Sequence, residues 1–294
     1  MGYKIIKKEY IAPAIYSLRV EAPLIASKAR PGNFVILRYK DTGERIPLTL
    51  VDWDAREGWV DLIIQEVGKS TKELGNVQAG EELKDLLGPL GKPFPLDKYN
   101  GPVIGIAGGL GAAPLYPILV ALHDLGNEVI TISGARNRDL LILREELSQV
   151  SDRLLFATDD GSVGRKGFVT DVLRELLAET KAQEGMVIAI GPVPMMAAVE
   201  KVTREFNVPT MVSLNSLMID GTGMCGGCRV TVGGETKFTC VDGPDFDAHE
   251  VDFDEILRRQ RFYREQEQES LKHYENHVCN LQKAADELEK SQNK

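Results

Sequence analysis

The sequence predicts a β-barrel, then a doubly wound α/β domain, a small cysteine-loop domain and a helical tail. Three observations predict this order. Residues 1–98 alternate short Val-, Ile-, Tyr- and Leu-rich runs with turn residues. Residues 99–212 switch to apolar runs, most of them continuous, separated by helical patterns. Residues 213–250 hold three of the four cysteines, and residues 251–294 are highly charged and contain neither Pro nor Gly.

At 294 residues the chain has room for two domains and a small appendage. Its net charge of −9 does not suggest a nucleic-acid partner. No apolar run approaches the roughly 20 residues of a membrane span. The N-terminal stretch MGYKIIKKEYIAP has no apolar signal core. Few, clustered cysteines with no export signal point to a reducing cytoplasm.

In the first unit, YKIIKKEY, AIYSLRVEA, FVILRYK, IPLTLVDWD and WVDLIIQEV read as strands. Pro31-Gly32, Asp41-Thr42-Gly43 and Glu57-Gly58 punctuate them. Five or six short strands at this spacing make a small antiparallel barrel, closed by a Gly/Pro turn at residues 88–94. Arg45 and Thr49 set a cation and a hydroxyl beside one strand. Gly68-Lys69-Ser70-Thr71 ends another strand and opens a short helix. Such a turn offers N–H groups and a dipole to a phosphate; equally, its hydroxyls can serve as a helix cap.

In the second unit, VIGIAGG, EVITISGA, LLFATDD, MVIAIGP and PTMVSLN alternate with four helical patterns. This is the pattern of a buried parallel sheet, which binds ligands at the carboxyl ends of its strands. Polar and glycine residues gather there: Gly108-Gly109-Leu110-Gly111, Asp159-Asp160-Gly161 and Gly191-Pro192. The first of these is not the G-x-G-x-x-G fingerprint, yet it is a glycine-rich turn able to accept a pyrophosphate. Arg136 and Arg138 follow the second strand where an acidic residue would bind a ribose hydroxyl, and so lean towards a 2′-phosphate.

The third unit carries Asp220, Cys225, Cys228 and Cys240 in the frame D-x4-C-x2-C-x11-C. Plant-type [2Fe–2S] proteins use C-x4-C-x2-C…C. The frame therefore reads as a [2Fe–2S] site with its first thiolate replaced by a carboxylate. Cys279 is the other possible fourth ligand. A structural zinc loop and a disulfide are the alternatives; one CxxC, a lone Cys and no nearby His suit zinc poorly. The tail reads as helix, docked through Ile256, Leu257 and Phe262 and fraying at its end. His273 and His277 read as exposed helical residues rather than ligands.

The R-x-P-L-T segment, the G-K-x-T turn, GGLGAAP, TDDGS, GPxPMM and the terminal cysteines together resemble the ferredoxin–NADP reductase superfamily. Within it the chain is similar to the branch of dihydroorotate dehydrogenase B electron-transfer subunits. Its Asp-plus-three-Cys frame resembles most the small subunits of NADH-dependent reduced ferredoxin:NADP oxidoreductases. The resemblance covers residues 1–250 and implies FAD on the barrel, NAD(H) on the α/β domain and a [2Fe–2S] cluster. It implies that Pro47, Leu48 and Thr49 line the flavin ring, and that Gly68, Lys69, Ser70 and Thr71 hold its pyrophosphate. Members of the wider superfamily carry an arginine where this chain has Ile46, so Arg45 stands one place off. The implied NAD(H) site uses Gly109, Gly111, Asp159, Asp160, Gly191 and Pro192, and the family preference for NAD opposes the 2′-phosphate reading. Also implied are a heterodimer with a larger subunit carrying flavin and [4Fe–4S] centres, ferredoxin as a carrier, and electron bifurcation in that partner. A dihydroorotate-type subunit, a stand-alone ferredoxin reductase and a zinc-binding interaction module are the competing expectations.

Overall fold

The computed structural model describes residues 2–292, with side chains to residue 278. The hairpin of β1 (Tyr3–Ala12) and β2 (Ile15–Glu21) comes first, followed by α1 (Pro23–Ala26) and β3 (Phe34–Arg38). Next come β4 (Ile46–Thr49), β5 (Asp52–Asp54), β6 (Trp59–Gln65), α2 (Lys69–Leu74), β7 (Glu82–Leu83) and β8 (Asp85–Leu90). They form two antiparallel sheets, ordered β5-β6-β2-β1-β7 and β4-β3-β8. Both sheets bury side chains in one core, Tyr16, Leu18 and Leu62 from the first and Val35, Leu37 and Leu86 from the second.

The strand IPLTLVDWD expected as one piece is two, in different sheets. The reason lies in Leu50 and Val51, which are adjacent and both buried. Leu50 joins the barrel core, whereas Val51 joins the core shared with the α/β domain. Alternating strand geometry would expose one of them, so the chain breaks there. The Gly/Pro turn expected at 88–94 begins inside a strand: Gly88 and Pro89 belong to β8. Proline cannot donate to the ladder, and the register against β3 shifts at this point, between Phe34 and Ile36.

The second unit runs β9 (Val103–Gly108), α3 (Ala112–Asp124), β10 (Val129–Ala135), α4 (Arg144–Gln149), β11 (Arg153–Thr158), β12 (Arg165–Lys166), α5 (Val169–Glu179), β13 (Met186–Ile190), α6 (Val193–Phe206) and β14 (Thr210–Ser213). After it come the hairpin β15 (Arg229–Val232) and β16 (Glu235–Phe238), and then β17 (Asp245–Asp247). Gly233 and Gly234 have φ of +60° and +77°, which supplies the left-handed pair that a tight hairpin turn needs. The large sheet is ordered β12-β11-β10-β9-β13-β14-β17, parallel except for β17. The cysteine-loop segment thus returns to the α/β sheet as its last strand. Leu115 and Leu119 of α3 pack one face of the sheet, and Leu173 of α5 and Met196 of α6 pack the other. Strand order reverses between β9 and β13, and such a switch point leaves a crevice at the strands' carboxyl ends. The barrel packs on this unit through Ile15, Val51, Ile63 and Phe94.

The tail is two helices, α7 (Phe253–Arg259) and α8 (Arg264–Gln292). Phe253 and Ile256 of α7 are buried and Leu257 packs beside them. Phe262, expected to dock, is 65% exposed in the turn between the helices. α8 crosses to the barrel, where Glu275 pairs with Lys72 at 2.6 Å and the Tyr274 hydroxyl accepts from Asn76 Nδ2 at 3.0 Å. Among the described residues no helix is long and apolar enough to cross a membrane.

Candidate functional site

The cysteine loop lies on the barrel. Cys228 and Cys240 are each 1% exposed, and their Sγ atoms are 3.2 Å apart. That is far beyond a disulfide bond of about 2.05 Å; both thiols are free, as is Cys225. The pair packs with Phe34 and Ile36 of β3, Met218, Leu90 and Phe238. Gly221 explains how closely the loop approaches. Its φ is +76°, and a Cβ there would lie 2.6 Å from Leu90 Cδ1 and 2.8 Å from Ile36 Cδ1.

The outer half of the loop is organised by Asp220. Its carboxylate accepts the Thr222 N–H at 2.9 Å and the Cys225 N–H at 2.8 Å. The Thr222 bond leads in holding this carboxyl below its ordinary range, so it stays ionised. Cys225 is exposed, and its Sγ accepts the Gly227 N–H at 3.5 Å. Burial, helped by Cys228, pushes the Cys240 thiol up to about 12; a bound metal is what deprotonates such a group. Among the described residues no three His, Cys, Asp or Glu side chains gather around one ion position. The loop instead brings Cys228 together with Cys240, and Asp220 together with the Cys225 backbone. A [2Fe–2S] cluster takes its ligands in pairs, two per iron, and these four residues suit it in number and chemistry. The Cys279 side chain lies outside the described residues.

On the barrel, β4 is the edge of its sheet and so has one unpaired row of backbone groups. Pro47 is exposed there, with Leu48 and Thr49 half-buried. Arg45 is half-buried just before this strand, and its Nε donates to the Ile219 carbonyl of the cysteine loop at 3.0 Å. Gly68 precedes α2, and a Cβ there would meet nothing within 4 Å, which leaves room for a bound group. Thr71 Oγ1 accepts the Val67 and Gly68 N–H groups, each at 3.1 Å, so that hydroxyl caps its own turn. The Ser70 hydroxyl donates to Glu44, and Lys69 is half-buried beside it.

At the carboxyl ends of the large sheet the glycines divide by role. A Cβ on Gly111 would lie 2.0 Å from the Ile190 carbonyl oxygen, and one on Gly191 would lie 3.0 Å from Gly108 Cα. These two glycines let the β9–α3 turn pack against the end of β13. Gly109 has φ of +55°, and a Cβ there would meet nothing within 4 Å. Pro192 is exposed, and its Cδ would lie 2.9 Å from a Cβ on Gly108. Asp159 and Asp160 are exposed after β11, and Asp160 Oδ1 accepts the Ser162 N–H at 2.9 Å. Arg138 is tied to the same loop, with its Nη2 donating to the Ser162 carbonyl at 3.0 Å. Of the two arginines read as leaning towards a 2′-phosphate, this one is therefore already engaged.

The sequence reading missed the barrel floor beneath the thiols and the arginines that reach the cysteine loop. Arg229 Nη1 donates to the Gly226 carbonyl at 3.2 Å, and Arg259 Nη2 to the Gly227 carbonyl at 2.9 Å. Arg229 directly follows Cys228 and acts across three positions, whereas Arg259 acts across 32 and no local motif marks it.

A β-barrel, a nucleotide-type sheet and a terminal cysteine loop seated on the barrel define an oxidoreductase subunit of the ferredoxin–NADP reductase superfamily. Two family models match: an oxidoreductase NAD-binding domain at residues 106–201, and the iron–sulfur cluster binding domain of dihydroorotate dehydrogenase B at residues 215–252. The chain is 46% identical, over 92% of its length and 95% of the relative's, to a dihydroorotate dehydrogenase B (NAD(+)) electron transfer subunit homolog of Thermotoga maritima. It is 33% identical to the electron transfer subunit of Geobacillus thermodenitrificans dihydroorotate dehydrogenase B (NAD(+)), over 84% of this chain and 96% of that one. A chain from the structure of NADH-dependent reduced ferredoxin-NADP oxidoreductase, described for flavin-based electron bifurcation, superimposes with a TM-score of 0.87. It shares 44% identity and the match covers 93% of this chain and 98% of that one. The chain belongs to the family of dihydroorotate dehydrogenase B electron-transfer subunits and their homologues.

Proposed function

We propose that this chain is the electron-transfer subunit of an NADH-dependent ferredoxin:NADP+ oxidoreductase of the electron-bifurcating kind, passing electrons between NAD(H), FAD and a [2Fe–2S] cluster to a partner subunit. One observation carries the reading: the buried thiols of Cys228 and Cys240 rest on β3 of the barrel, while Cys225 of the same loop reaches the surface. Such a loop joins an interior donor to an exterior acceptor.

When bound, FAD supplies the exchange between the two-electron nicotinamide and a one-electron centre. The residues of this chain position and shield. Pro47, Leu48 and Thr49 on the edge strand β4 would line the flavin ring, and Gly68, Lys69, Ser70 and Thr71 would hold its pyrophosphate. Gly109 would admit the dinucleotide, with Asp159, Asp160 and Pro192 around it and Gly111 and Gly191 shaping the turn. Asp220 and Cys225 would serve one iron, Cys228 and Cys240 the other. Phe34, Ile36 and Leu90 keep water from the inner pair. No side chain is needed as acid or base. The partner is a larger subunit with flavin and [4Fe–4S] centres, and ferredoxin is served through the complex.

The second reading, a subunit of dihydroorotate dehydrogenase B, draws on the relatives that carry that name. Asp220 weighs against it, since the Asp-plus-three-Cys frame resembles most the small subunits of the ferredoxin:NADP oxidoreductases. Affinity isolation under anaerobic conditions separates the two. A co-purifying flavin/[4Fe–4S] subunit with NADH-dependent ferredoxin:NADP+ activity supports the first; a dihydroorotate-oxidising partner replaces it with the second. About one FAD and two irons per chain are expected, and a colourless zinc protein would overturn both. In Asp220→Cys the electron paramagnetic resonance spectrum of the reduced cluster should change. An unchanged spectrum and potential would remove Asp220 from the ligand set.

A further inference from the structure

Three arginines from three parts of the fold converge on the cysteine loop. Arg45 comes from the barrel, Arg229 from the start of β15 and Arg259 from the last turn of α7. Each donates to a main-chain carbonyl, of Ile219, Gly226 and Gly227 respectively. These carbonyls belong to the residue before Asp220 and to the two residues between Cys225 and Cys228. All three arginines line one groove of 1640 Å³, together with Cys225.

We propose that Arg45, Arg229 and Arg259 form a clamp that positions the loop's N–H groups toward the cluster sulfurs and raises the cluster's reduction potential. A peptide group is planar, so holding its carbonyl fixes the opposite N–H. The structure contains one complete instance. Arg229 holds the Gly226 carbonyl, and the N–H of that same peptide, on Gly227, points to Cys225 Sγ at 3.5 Å. Arg259 does the same for the next peptide, whose N–H belongs to the ligand Cys228. Reduction adds negative charge. Fixed cations and N–H···S bonds stabilise the reduced form more than the oxidised one, and both are recognised determinants of such potentials. The clamp partly offsets the charge a carboxylate ligand would bring at Asp220, which pulls the potential the other way. Arg259 also gives the tail a role: α7, anchored by Phe253 and Ile256, presents the guanidinium.

This inference rests on the iron–sulfur reading, and the experiment tests the two separately. The holo-chain is titrated with dithionite while the reduced-cluster resonance is followed, and iron is counted. Two irons and a [2Fe–2S] signal in the unaltered chain uphold the reading; their absence overturns it and the clamp with it. Given that signal, Arg229→Gln and Arg259→Gln should retain iron and shift the midpoint to lower potential, further in the double variant, with Arg259→Lys intermediate. Loss of iron from Arg259→Gln at unchanged far-ultraviolet circular dichroism, restored in Arg259→Lys, also supports the clamp. Full iron with unaltered potential and spectrum in both glutamine variants overturns it alone.

Discussion

At the scale of single residues, the glycines separate what folds the chain from what it binds. Gly111 has no freedom, because an added methyl would meet the Ile190 backbone at 2.0 Å. Backbone on both sides cannot yield as a side-chain tip can, so Gly111→Ala should cost at least the roughly 1–3 kcal/mol of overpacking. Gly109→Ala meets nothing within 4 Å and carries only its left-handed φ of +55°, a cost of about 1–2 kcal/mol. Thermal melting should therefore fall sharply for Gly111→Ala and modestly for Gly109→Ala. Only the second should give a folded protein whose NADH affinity is weakened. Equal melting losses in the two would refute the division. Gly68→Ala, extended and in open space, should leave melting unchanged and reduce FAD retention.

At the scale of elements, what was legible depended on how local the signal was. The parallel strands were readable because VIGIAGG or MVIAIGP is apolar throughout, as burial on both faces demands. The D-x4-C-x2-C-x11-C frame was readable because loop spacing and ligand type are local. The break between β4 and β5 was not, since it depends on Leu50 and Val51 entering different cores. Nor was β8, whose Gly88-Pro89 reads as a turn until β3 lies beside it. The bond from Arg45 to the Ile219 carbonyl was not legible either, since it spans 174 positions. The tail divides in the same way. Ile256 is 2% exposed within the core beside α6, so Ile256→Ala should cost about 2–5 kcal/mol. Glu275, half-exposed in its pair with Lys72, should cost under about 1 kcal/mol on replacement by Ala. Urea denaturation of both variants checks this, and comparable losses would mean that α8 is anchored as firmly as α7.

At the scale of the whole molecule, the barrel, the large sheet and the cysteine-loop segment meet at Asp245. It lies in β17, which pairs with β14. Its carboxyl faces Gly32 of the barrel, where an added Cβ would lie 2.9 Å from Oδ2 and 2.7 Å from the Phe94 nitrogen. Both carboxyl oxygens are out of solvent and have no hydrogen-bond partner among the described residues. Burial pushes this carboxyl from 3.8 up to about 7, while nearby Ser213 acts weakly in the opposite direction. A raised folded-state value fixes the sign. Below about pH 4 both the folded and unfolded states are protonated, and the contribution to stability is fully present. As pH rises from about 4 to about 7 the unfolded chain ionises first, so the folded state loses stability until Asp245 itself ionises. At roughly 1.4 kcal/mol per pH unit the total is on the order of 4 kcal/mol. Asp245→Asn keeps the shape without the titration. Its melting temperature should match the unaltered chain near pH 4, exceed it increasingly towards pH 7 and then hold a constant lead. A lead that is already full at pH 4, or absent at pH 8, would show that this junction is not held by a neutral carboxyl.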